Sequence, residues 1–201
     1  MKKIMVYSKH GPSKNLGDLI KENTGMLLFF TVFLCGVVFG CSLFNESQAG
    51  GYIRIITEKA ISGPIEKTAV LLFAYLTVVY IISVSGALSC LGIGTLCIPP
   101  AVTGIMYSLA ASALISKDGA KGLGYFSLLI LPGAVVLVCA IIGLCSESSK
   151  ISKNLALTNF FGRREETDIK KYLIKSVVAF ASMMCSVLIV YLTSKIFSKL
   201  F

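Results

Sequence analysis

Residues 68–116 read TAVLLFAYLTVVYIISVSGALSCLGIGTLCIPPAVTGIMYSLAASALIS, 49 positions without one Asp, Glu, Lys or Arg. A helix needs about 20 mainly apolar residues to cross a bilayer, so this run holds two crossings. Three more charge-free runs lie to either side: 23–45, 122–146 and 176–194, of 23, 25 and 19 residues. The four runs take 116 of the 201 positions. A water-soluble domain of this length does not need so much uninterrupted apolar sequence. With 55% hydrophobic residues, 14% charged residues and a mean hydropathy of +0.82, the chain reads as all-α. The expected fold is a polytopic integral membrane protein of about five transmembrane helices.

The expected spans are about 25–44, 68–88, 101–115, 123–145 and 176–194, forming a single membrane domain over 1–201. Ahead of them, residues 1–24 carry five lysines, Asp18 and Glu22. Gly11-Pro12-Ser13 is a helix-start signal, and Leu16, Leu19 and Ile20 share a helical face. This predicts a short amphipathic helix on the membrane surface, leading into span 1. The first apolar run starts too late and is too long for the core of a cleaved signal, and no Ala-x-Ala site follows it.

Orientation follows from the basic residues. With the N-terminus cytoplasmic, the inside segments hold 12 Lys and Arg and the outside segments hold 7. The two richest segments, 1–24 and 147–175, are separated by four spans and fall on one side. The reading is N-terminus inside, 45–67 outside, 147–175 inside and C-terminus outside. A formal charge of +9 distributed this way orients a membrane protein and does not suggest nucleic-acid binding.

Small residues mark the helix contacts. Span 1 carries Gly36-x-x-x-Gly40, and span 3 carries Gly104, Ser108, Ser112 and Ser116 at intervals of four. Such spacing lets backbones approach closely. Between spans 2 and 3, residues 89–100 have no charge but include Gly92, Gly94, Pro99 and Pro100. Backbone groups freed there need partners inside the protein, which predicts a broken or re-entrant helix. A sixth crossing within 86–100 is the alternative, and it would move the C-terminus inside. Pro132 predicts a kink in span 4. In the 45–67 loop, Tyr52, Ile53 and Ile56 recur at helical spacing with charges beside them. They form either a docking surface or a face resting on lipid headgroups.

Catalytic chemistry is not expected. The spans contain no acid, base or histidine, and the lone His10 lies in the N-terminal tail. No zinc pair, catalytic triad or phosphate-binding loop can be assembled from these residues. Serines within the spans have no buried base to activate them. The seven cysteines lie in apolar runs, none paired as Cys-x-x-Cys, and read as small packing residues. No cofactor or metal is expected, and membrane lipid is the one partner the composition itself implies.

Four features in order resemble the stage II sporulation protein M family. The first is Leu19-Ile20-Lys21-Glu22 leading into FLCGVVFG at 33–40. The second is the glycine-rich stretch with Pro99, followed by Gly104 and Ser108. The third is Gly119-x-x-Gly122, and the fourth is Leu131-Pro132 followed by Ala140 and Gly143. The likeness covers most of 15–155. It departs at Gly133-Ala134, where family members often carry His-Gly or Gln-Asn, and at Val138-Cys139, where a proline is expected. The resemblance implies a bacterial cytoplasmic-membrane protein acting in engulfment of the forespore. There it would assemble with the peptidoglycan-degrading stage II sporulation proteins D and P as a non-catalytic scaffold. A competing expectation is the membrane subunit of a small-solute transporter or permease complex, favoured by the broken segment. Oligomeric state stays open.

Overall fold

The computed structural model describes residues 16–45, 65–89, 92–161 and 169–197. All regular structure among them is helical. In a bilayer only a helix or a closed barrel satisfies every backbone group, so even β-branched runs such as Thr77-Val78-Val79 fold as helix. The elements are α1 (Leu16–Asn45), α2 (Ile65–Ala87), α3 (Gly92–Leu96), α4 (Ile98–Asp118), α5 (Ala120–Tyr125), α6 (Leu131–Phe161) and α7 (Ile169–Phe197). A single π-helical stretch, Phe126–Ile130, joins α5 to α6.

Among the described residues, five stretches are long and apolar enough to cross a membrane: Asn23–Phe44, Val70–Ala87, Gly92–Ser116, Ala120–Asn159 and Ile169–Thr193. The chain is a multi-pass helical membrane protein. A sixth crossing within 86–100 is excluded, because that segment holds the end of α2 and a helix of five residues. Large apolar side chains point outward throughout: Val38, Val70, Leu71, Ile174 and Val177 are each at least 60% exposed. That belt is what lipid covers.

Three elements differ from the expectations. The described part of the N-terminal lead-in is not a separate surface helix, since α1 runs unbroken from Leu16 into the span. The 147–175 segment, expected as a loop, is helical on both flanks: α6 continues to Phe161 and α7 begins at Ile169. From Ala120 to Phe161 the continuous helix extends about 60 Å, twice the hydrocarbon thickness, so its charged end stands clear of the lipid core. At Pro132 the distortion takes the form of the π-stretch just before it. Proline cannot donate to the carbonyl four residues back and its ring crowds that carbonyl; a wider turn relieves both.

The core forms around α6, where α1, α2, α3 and α7 converge on it. Phe29, Leu76, Leu96, Leu137, Ile141, Cys145 and Met183 are almost fully enclosed. A second cluster of Ala87, Ile151 and Tyr172 lies toward the charged end of α6, with Leu155 against it. Helix α4 closes on Gly119, whose φ of 57° is the left-handed region where glycine alone is unstrained. Its N–H caps the Ile115 carbonyl at 2.8 Å and turns the chain directly into α5.

Candidate functional site

The most extensive helix pair joins α1 to α4. The two run parallel, as the first and third of five consecutive spans should. On α1, a Cβ at Gly36 would collide with the Ala101 carbonyl oxygen, with the carbonyl carbon behind it at 3.0 Å. One turn on, a Cβ at Gly40 would strike Ser108 Oγ, with Ile105 Cα at 3.0 Å. From the other side, a Cβ at Gly104 would meet the Phe33 carbonyl oxygen and stand 3.0 Å from the Val37 nitrogen. Gly36, Gly40, Gly104 and Ser108 therefore share one contact. Without side chains between them, the backbones gain dispersion contacts that no Leu-on-Leu packing gives. Ser112, a turn beyond, is only half-buried.

The broken segment is held from three sides. Pro99 and Pro100 occupy the first turn of α4, where an absent N–H costs nothing, and both are fully buried. Thr103 Oγ1 donates to the Pro99 carbonyl at 2.7 Å. With that hydrogen used, the Tyr75 hydroxyl on α2 donates to Thr103 across 2.8 Å. Gly92 is buried so tightly that a Cβ would run into the Gly86 carbonyl. Ser152 of α6 donates to the Ser89 carbonyl at 2.7 Å, covering the end of α2. Gly94, by contrast, is exposed with nothing near its would-be Cβ. Pro132 is also exposed.

A ladder of hydroxyls then ties α7 to its neighbours. Tyr80 of α2 bonds Ser176 at 2.8 Å, and Ser148 of α6 bonds Tyr172 at 3.0 Å. Ser83 donates to its own Val79 carbonyl at 2.8 Å and lies 3.8 Å from Cys145 Sγ. No described buried side-chain nitrogen or oxygen lacks a partner. These hydroxyls are spent on holding helices together. At the surface beyond them, Glu147 takes Lys150 at 2.9 Å and Lys175 at 2.8 Å, so α6 and α7 share one carboxylate.

Sequence reasoning missed this ladder because it assigned 147–175 to a loop. The signal was present: Ser148 and Ser152, like Tyr172 and Ser176, stand four apart on one helical face. Tyr52, Ile53 and Ile56 lie outside the described residues. The described cysteines are free thiols, with Cys145 enclosed and Cys35, Cys41, Cys139 and Cys185 exposed. Comparison with protein-family models, with curated proteins and with solved structures finds no match to this chain.

Proposed function

We propose that this protein is a non-catalytic membrane scaffold, localising peptidoglycan-degrading partners during forespore engulfment in a bacterial cytoplasmic membrane. The observation that carries the scaffold reading is how the interior polar groups are used. Tyr75, Tyr80, Ser148, Ser152 and Tyr172 bond helix to helix, and the parallel α1–α4 pair locks through backbone contact. Such a body is built to hold a shape. The link to engulfment, and to the stage II sporulation proteins D and P as partners, rests on the sequence resemblance. The orientation proposed with it places the N-terminus inside and the C-terminus outside, from the 12-to-7 split of basic residues.

The transport-subunit reading keeps one observation in its favour, the break between α3 and α4 at Cys97. Against it, the break is filled by Leu96, Pro99 and Pro100, all fully buried. Deleting the gene in its native host and following membranes with dye separates the two. A septum that stalls before engulfment supports the scaffold; complete engulfment with impaired solute uptake overturns it. Within the scaffold reading, replacing Tyr52 and Ile56 by Ser should abolish co-purification of the hydrolases while leaving expression and insertion intact. Partners retained at wild-type level would move the docking site into the spans.

A further inference from the structure

Between α1, α6 and α7 a cleft of about 330 Å³ opens at the end of the bundle where Glu147 gathers its two lysines. The mouth is polar, with Asn23 and Ser146 beside Glu147, Lys150 and Lys175. The interior is apolar and lined by small residues, among them Ala140, Gly143 and Ala179.

Gly143 is the telling residue. It sits in the interior of α6, where glycine costs a helix about 1 kcal/mol against alanine. At Gly36, Gly40, Gly104 and Gly133 that cost is offset by close approach of another helix. At Gly143 a Cβ would meet nothing within 4 Å. The missing side chain brings no helix closer, and it leaves open the part of the cleft that Gly143 lines.

Charge completes the picture. Two ammonium groups on one carboxylate leave a rim of net positive charge at the cleft mouth. A matching occupant has an anionic, oxygen-rich head and an aliphatic body. A free phosphate would leave the apolar interior unused, and a zwitterionic lipid would gain nothing from the net charge.

We propose that this cleft binds an anionic phospholipid, its phosphate against Lys150 and Lys175 and an acyl chain along Cys139, Gly143 and Ala179. Basic pockets between transmembrane helices suit such headgroups. The site is independent of the scaffold reading and of any partner.

The test uses the full-length protein in detergent, offered phosphatidylglycerol and phosphatidylcholine together, with bound lipid counted by native mass spectrometry. Wild type should retain phosphatidylglycerol about tenfold over phosphatidylcholine. The Lys150→Gln, Lys175→Gln double variant should bring that ratio near one. Gly143→Leu, whose side chain enters open space, should cut phosphatidylglycerol retention about tenfold with helical content unchanged. Millimolar inorganic phosphate should displace nothing. Equal retention of the two lipids by wild type overturns the proposal, and so does retention indifferent to both variants. Displacement by inorganic phosphate would assign the lysines to a free anion and equally overturn it.

Discussion

Gly40 on α1 faces Ser108 on α4 with no room for a Cβ between them. Ser108 is nearly fully buried there, its hydroxyl donated back to the Ile105 carbonyl at 2.9 Å. A glycine and a serine 68 residues apart in sequence thus set how closely the first and third spans approach.

Filling that contact should separate the helices. Gly104→Leu drives a side chain into the Phe33 backbone, and Gly40→Leu drives one through the Ser108 hydroxyl onto Ile105 backbone at 3.0 Å; the backbone cannot yield as a flexible side chain can. The expected loss is about 3 kcal/mol or more, at the upper end for overpacking. Leu28→Ile, on an outward-facing position, should change stability by under about 0.5 kcal/mol. Thermal unfolding in detergent measures both, and equal midpoints for the three variants would rule out this packing face.

The hydroxyl ladder gives a sharper test by double-mutant cycle. Tyr80→Phe and Ser176→Ala should show a coupling of about 0.6 kcal/mol in unfolding by detergent titration, the usual scale for hydrogen bonds inside membranes. Tyr172→Phe with Ser148→Ala should couple similarly. Tyr80→Phe with Thr193→Val, whose bond to the Leu129 carbonyl lies toward the other end of α7, should be additive. Coupling between that last pair would mean the variants disturb the bundle as a whole.

Thiol chemistry should read the bundle directly. Cys139 faces outward and Cys145 is fully enclosed, though only six positions separate them. In variants keeping one of the two as the sole cysteine, a small membrane-permeant maleimide should modify Cys139 in the folded protein. Cys145 should resist until the helices are dispersed in sodium dodecyl sulfate. Equal rates in the folded state would contradict the placement of α6 against α2.

Topology is tested with paired probes in a cysteine-free background. Lys153 is exposed on α6, so a probe there leaves the packing undisturbed. On intact protoplasts an impermeant maleimide should label Ser47→Cys and spare Lys153→Cys. The opposite pattern would invert the orientation proposed above.

Which features could be read from the sequence follows from their physical range. The five apolar stretches are legible because hydrocarbon forces a local rule: about 20 residues, no charge, backbone satisfied within the helix. Gly36, Gly40, Gly104 and Ser108 stand out by spacing alone. That they face one another does not, because spacing marks a close approach without identifying the partner. The Glu147–Lys175 pair was hidden for a similar reason, being an i, i+28 relationship created by how α6 and α7 pack. The reach of α6 past Glu147 was misread because charge ends a membrane span without ending a helix. In sequence Gly143 is one more small residue, because the open space beside it exists only once α1, α6 and α7 are packed.

The parallel pairing of α1 with α4 has a consequence for how the protein is made. Gly36 and Gly40 leave the ribosome first, and Ala101, Ile105 and Ser108 follow only after some sixty further residues. At about 5–20 residues per second, several seconds pass in which the first helix lies in lipid with its glycine face uncovered. Every other nascent copy presents the same face, and close backbone approach is available to any of them. Correct assembly is therefore a race between translation of the third span and encounter with a neighbouring chain, and it is won more easily at low expression.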